Sequence, residues 1–266
     1  KVIGGFLNFA SHPTVVPVEQ LKISADWPGV FTAELEKKTN GGAFLFLQSA
    51  SGNISPAGMS GNDGWEEAAD FGTRLAKTVS SKFDSVKVTS DFPVDARMQP
   101  VEFPVRKMKT VMEFAKGVNK RIEEINASNM SDDEKNLQIR WLRDRVGIEN
   151  FMQPIIKTMS RAKGGVTHTW VQAMRLGDTM LIAFPGEAIA EYAIRAREDF
   201  APTKLAVLGY TNDHLGYLTN QKVYEEGGYE AGMSLVYPEA VESMYDQVEA
   251  LAREMTPAKE TTKKKK

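Results

Sequence analysis

The run Ala43-Phe44-Leu45-Phe46-Leu47 breaks directly into Gln48-Ser49-Ala50-Ser51-Gly52-Asn53-Ile54-Ser55-Pro56. Five apolar residues bounded by turn formers read as a buried strand, and the small polar stretch after them reads as a loop at the strand's end. The same format recurs along the chain. An apolar run over 2–10 ends in Ser11-His12-Pro13, where proline has no amide hydrogen to continue a ladder. A run over 179–184 ends in Pro185-Gly186-Glu187, and one over 204–210 leads into Thr211-Asn212-Asp213-His214-Leu215-Gly216-Tyr217.

Helical patterns separate these runs. Pro28 opens a helix over 28–38 that Asn40-Gly41-Gly42 stops. A second spans 66–81, with Ala68, Ala69, Phe71, Leu75, Ala76 and Val79 as core candidates, and another follows Pro185-Gly186 towards Arg197. Val241, Met244, Val248, Leu251 and Met255, three or four apart, predict a long amphipathic helix near the end. Further strands are expected over 85–92 and over Val166–Leu176, the latter joined to the 179–184 strand by a Gly177-Asp178 turn. The charged stretch 107–162 reads as an inserted helical hairpin or lid. Met108, Val111, Met112, Ala115, Val118, Ile122 and Ile125 keep helical spacing there, and Ser131 with Glu134 forms a capping box. Strands mixed with helices place the fold in the α/β class, a mixed β-sheet core flanked by helices.

Composition narrows the function classes. With 266 residues, 42% of them hydrophobic and 26% charged, the chain can bury a core without covalent staples. It has no cysteine, which excludes disulfides, thiol nucleophiles and thiolate metal sites. A net charge of -2 argues against a nucleic-acid partner. No apolar run approaches the roughly 18 residues of a spanning helix. The chain starts at Lys1 without methionine, which suggests processing or cutting, and residues 257–266 read as a disordered basic tail.

Four strand ends thus deliver a nucleophile, a metal-ligand type or an acid/base, and the carboxyl edge of an open α/β sheet is where sites gather. Taken singly, each residue has an ordinary reading. His12 suits a strand end, Glu187 suits the first turn of a helix, and Tyr217 and Tyr229 suit a core. His168, in a strand, and His214, in a loop, read as structural. Together, a histidine, a glutamate and a tyrosine phenolate are donors that zinc accepts, and such a site can act on a carbonyl. No G-x-S-x-G elbow occurs.

Four segments carry a resemblance: LNFASHPTVV (7–16), FLFLQSASGNISP (44–56), VQAMRLGDTMLIAFPGE (171–187) and GYTNDHLGYLTNQKVYEEGGYEAG (209–232). In order and wording the chain resembles the neutral/alkaline non-lysosomal ceramidase family. That resemblance implies a zinc-dependent amidase that cleaves the N-acyl bond of ceramide to a sphingoid base and a fatty acid. It implies His12, Glu187 and Tyr217 as zinc ligands, Ser55 as the active-site serine, and Tyr229 as a tyrosine acting on the reacting carbonyl. It also implies one catalytic domain over 1–256, with a further zinc histidine and a substrate-side arginine upstream of Lys1. Secretion, or a periplasmic or cell-surface location, and peripheral contact with a membrane surface follow as expectations. The serine signature departs from the family at Asn53, usually aspartate, and at Ala57, usually asparagine. Two other readings stand beside this one: a lipid- or surface-binding module that has lost its chemistry, and a metal hydrolase for a different amide or ester.

Overall fold

In the computed structural model, residues 2–56, 64–87, 89, 92–107, 111–140, 142–143, 147, 165–226 and 228–255 are described. The chain builds β1 (Gly4–Phe9), α1 (Asp26–Lys38), β2 (Ala43–Gln48) and α2 (Trp65–Ser80). Next come β3 (Val94–Pro104), α3 (Val111–Asn126), α4 (132–140), β4 (Val166–Leu176) and β5 (Thr179–Ala183). The last third holds β6 (Glu187–Ala188), α5 (Ala190–Asp199), β7 (Lys204–Leu208), β8 (Tyr217–Leu218), α6 (Gln221–Glu226), α7 (Tyr229–Gly232) and α8 (Pro238–Glu254).

Four strands form a mixed sheet in the order β3-β4-β5-β7, antiparallel except for the parallel β5–β7 pair. The two-residue period of β5 sends Met180 and Ile182 to one face and Leu181 and Ala183 to the other. The first face is covered by α5 and α8, whose Val241, Met244, Tyr245 and Val248 are fully buried with Phe184 and Tyr192. Leu47 packs on the second face, beside Leu208 and Ala206. The helical periodicity of α8 is therefore a direct imprint of this sheet.

The parallel pair β1–β2 makes a separate two-stranded ladder under α1 and α2. Its centre is Trp27, fully buried, with Phe46 and Phe71 edge-on at ring distances of 4.8 and 4.9 Å. The first half of β2 is covered on one side only: Phe44 is buried and Leu45 points out, whereas Leu47 reaches the main sheet, so the apolar run is not the fully buried strand its composition suggests. Asn8 ties this layer to the main sheet by donating to the Leu47 and Val207 carbonyls at 3.1 and 2.8 Å.

One strand expectation changes. The residues described within 85–92 contain no strand; a short 3-10 turn, Phe83–Ser85, leads into extended chain. The strand lies further on, as β3, which pairs with β4 from Val94↔Leu176 to Pro104↔Val166. Pro100 and Pro104 disguise it in the sequence, and both are tolerated because β3 is an edge strand whose outer side needs no ladder donors. The Gly177-Asp178 hairpin forms, with Leu176 opposite Thr179. Within the 107–162 stretch, α3 buries Val118 and Ile125, and the capping box closes through Glu134 Oε2, which accepts from the Ser131 amide at 2.9 Å. Most residues beyond 140 in that stretch, and the 257–266 tail, lie outside the described residues, as do Met108, Ala57 and the side chains at 111–116. No described helix is long and apolar enough to cross a membrane.

Candidate active site

The carboxyl-terminal ends of β1, β2, β5 and β7 meet, and backbone hydrogen bonds lace their loops together. His12 N–H donates to the Ile54 carbonyl at 3.1 Å and Gly52 N–H to that of Ala188 at 2.9 Å. Gly209 N–H donates to Gln48 and Tyr210 N–H to Gly186, each at 3.0 Å. Gly52 is required by this lacing, since a Cβ there would lie 2.6 Å from the Glu187 carbonyl oxygen.

At the junction, His12 Nε2 lies 2.9 Å from Glu187 Oε2, and the Tyr217 hydroxyl lies 3.4 Å from the same imidazole nitrogen. The His12 Nδ1 is 2.9 Å from the Ile54 carbonyl, which fixes the ring and assigns the Nδ1 hydrogen to that acceptor. Glu187 is not in a helix. It begins the two-residue strand β6, and α5 starts only at Ala190 after the extended Ile189, so the helix dipole does not account for this carboxylate. Its true partner in the ladder is Tyr217, directly opposite in β8.

The electrostatics follow from half-burial and crowding. Burial pushes the Glu187 carboxyl up, but hydrogen bonds from His12, Tyr210, His214 and Tyr217 outweigh it and hold the group at about 2. The hydrogen bond to Glu187 raises His12, against the effect of burial. Burial first, then the Glu187 charge, raises the phenol of Tyr217; Tyr229 is raised by burial and by Glu187 and Glu230.

Ser55 is exposed at the rim, one residue beyond the Ile54 carbonyl that holds both the backbone and the ring of His12. Its neighbour Asn53 bridges to α5: the Asn53 Oδ1 accepts from the Ala190 amide, and its Nδ2 donates to Glu191 Oε2, both at 2.9 Å. An asparagine can make both bonds where an aspartate would face the Glu191 charge. Tyr229, partly exposed at the start of α7, sets its ring 5.5 Å from that of Tyr217, edge to face. All five residues singled out in the sequence thus lie at or beside one junction.

Two further residues join them. His214 Nε2 lies 3.1 Å from Glu187 Oε1, so this histidine, read from the sequence as structural, sits in the cluster. Tyr210 stacks on His214, ring centroids 5.5 Å apart and planes within 11°, and bonds the same carboxylate. The signal for both was the turn-rich Thr211-Asn212-Asp213 between them, which shows no periodicity. His168, by contrast, pairs with Glu102 on the exposed side of β3–β4, away from the cluster.

The donor chemistry of His12, Glu187 and Tyr217 suits zinc, and the carbonyl on Nδ1 is the support such a histidine ordinarily has. The two histidines occupy different oxygens of Glu187, and among the described residues no three histidine, cysteine, aspartate or glutamate side chains are grouped to hold a metal ion.

The fold has counterparts among solved structures. The crystal structure of neutral ceramidase from Pseudomonas aeruginosa superposes on 96% of the chain with a TM-score of 0.61 at 18% identity. A ceramidase complexed with C2 does so equally well, again at 96% coverage and TM-score 0.61, with 16% identity. The chain has a neutral ceramidase-like fold. It spans 45% and 46% of the length of those two chains, somewhat under half in each case. No family model and no curated protein matches it. The mixed sheet with helices on its faces is therefore shared with ceramidases even though little of the sequence is.

Proposed function

We propose that this chain carries the active site of a zinc-dependent amidohydrolase of the neutral ceramidase type, acting on the N-acyl amide of ceramide or a related N-acyl lipid. The observation that carries the reading is the convergence of Glu187 Oε2 and the Tyr217 hydroxyl on His12 Nε2, at 2.9 and 3.4 Å, on a ceramidase-like fold. His12, Glu187 and Tyr217 would hold the ion. The chemistry zinc supplies when bound at such a site is polarisation of the amide carbonyl and acidification of a water.

The chain's own residues do the rest. Ile54 keeps the Nδ1 hydrogen of His12 engaged, so Nε2 is the nitrogen on the Glu187 side and, once it gives up its hydrogen, would offer its lone pair to the ion. Tyr229 is held protonated by its raised pKa, which is the state needed to donate a hydrogen bond to an oxygen that gains charge in the tetrahedral intermediate. Ser55, exposed at the rim and borne on the loop that fixes His12, would bond or attack the reacting group.

The test uses the natural full-length protein, an N-acyl-sphingosine substrate and a parallel panel of peptides and simple esters. The expected result is stoichiometric zinc and release of fatty acid from the lipid amide, abolished separately by chelation and by Ser55→Ala. Lipid-amide cleavage that survives both changes overturns the mechanism. Preference for the peptides or esters overturns the substrate, and a protein without zinc or turnover supports the binding-module reading.

A further inference from the structure

Glu187 has two oxygens and the proposed centre uses one. A glutamate's terminal torsion is broad, so a carboxylate tethered through a single oxygen would sample many orientations of the other. Here both oxygens are engaged, by different elements. Oε2 faces His12 from the end of β1, and Oε1 is held by His214 from the loop between β7 and β8.

That loop is built with visible effort. Tyr210 and Asn212 adopt positive φ values of 51° and 69°, conformations that side-chain-bearing residues seldom occupy, and Gly216 follows at 70°. The surroundings over-determine these conformations. Tyr210, Thr211 and Leu215 donate backbone hydrogen bonds to Gly186, Phe184 and Pro185 at 3.0, 3.0 and 2.8 Å, so the loop is pinned along the segment that leads to Glu187 itself. Asn212 Nδ2 donates to Gln172 Oε1 at 3.1 Å and the Asp213 carboxylate caps the His214 amide at 2.8 Å. The result is a stacked pair, Tyr210 on His214, directed at one carboxylate. His214 is otherwise largely exposed, so burial does not explain its position.

We propose that His214, braced by Tyr210, is a positioning residue: it anchors Glu187 Oε1 so that Oε2 is presented to the metal beside His12. The inference rests on the zinc reading above. It assigns His214 no ligand role, because its nitrogen sits on the far oxygen from His12. Partners of this kind, one bond removed from the metal, ordinarily change affinity by about 10–100-fold.

The experiment is a zinc titration of the full-length protein against a competing chromophoric chelator, paired with thermal unfolding of the metal-free form. His214→Ala and His214→Phe, the second keeping a ring to stack on Tyr210, should each weaken zinc binding about 10–100-fold with little change in metal-free unfolding. His214→Gln, which retains a donor, should recover most of the affinity, and Tyr210→Leu should show a smaller loss. Wild-type affinity in both His214→Ala and His214→Phe overturns the inference while leaving the zinc reading intact. Affinity lost equally in the glutamine variant overturns the donor role. A wild-type protein that takes up no zinc overturns the zinc reading and this inference with it.

Discussion

Glu187 and Tyr217 are directly opposite residues of the two-residue parallel pair β6–β8, held in register by the Glu187 amide on the Gly216 carbonyl at 2.9 Å. Thirty positions of chain separate them, and the smallest possible ladder brings the acid and the phenol to one side of His12. This pairing makes the site a property of tertiary structure, not of any single segment.

Removal of the Tyr217 hydroxyl tests the pairing gently. The ring is buried, stacked near His12 at 6.3 Å and against Tyr229 at 5.5 Å, and phenylalanine keeps both contacts. Tyr217→Phe should therefore cost about 1 kcal/mol or less in urea unfolding. Lipid-amide turnover should fall by about 100-fold or more, the scale for loss of a group that acts at the reacting centre. Near-normal turnover would remove Tyr217 from the chemistry.

Gly52 is where the serine loop touches the acid's strand. Gly52→Ala puts a methyl group 2.6 Å from the Glu187 carbonyl and 3.1 Å from that of Ala188, both backbone atoms that cannot swing away. A loss of about 1–3 kcal/mol is expected from such overpacking, together with weaker zinc binding as β6 shifts. Unchanged melting and metal affinity would show that the loop is not docked there.

Asn53 offers a charge test. Asn53→Asp keeps an acceptor for the Ala190 amide but loses the donor to Glu191 and sets two carboxylates face to face. It should destabilise by about 0.5–1 kcal/mol, since the site is exposed and screened, and added salt should reduce the loss. The double change with Glu191→Gln should recover stability. If Asn53→Asp is neutral alone, the bridge carries no energy.

The His12–Glu187 pair predicts a pH window for the metal-free protein. His12 titrates above its ordinary 6.5 when folded, so its stabilising contribution is complete below 6.5 and is lost as pH rises through the raised value. Glu187 falls from 4.5 to about 2 on folding, so its contribution is complete above 4.5 and is lost as pH drops towards 2. The stability difference between wild type and Glu187→Gln should thus peak between 4.5 and 6.5, at about 2 kcal/mol. Urea unfolding across pH measures it, and a flat difference would show that the pair is not coupled.

Much of the framework could be read ahead of the structure because it rests on local periodicity. Val241, Met244, Val248, Leu251 and Met255 are all buried along α8, and the β4–β5 hairpin turns where its glycine and aspartate require. Ala69 in α2 is exposed despite its apolar side chain, for its position falls outside the face that α2 turns inwards. The β3 strand escaped notice because an edge position excuses prolines, and edges are decided by neighbours. The short β6 escaped because two residues show no period; its acid looked like the opening of a helix that begins three residues later.

By itself the sequence determined which side chains could do chemistry and that each follows a strand, since strand-forming runs and turn residues act over a few positions. It marked His12, Ser55, Glu187 and Tyr217 on that ground, and Tyr229 through the family resemblance. Only the tertiary structure decided that these strand ends coincide, that Tyr217 rather than a helix faces Glu187, and that His214 and Tyr210 complete the carboxylate's surroundings. The reason is physical: hydrogen bonds between residues up to 205 positions apart, such as Tyr217 to His12, depend on how the layers pack, and packing leaves no mark on the local pattern of either residue.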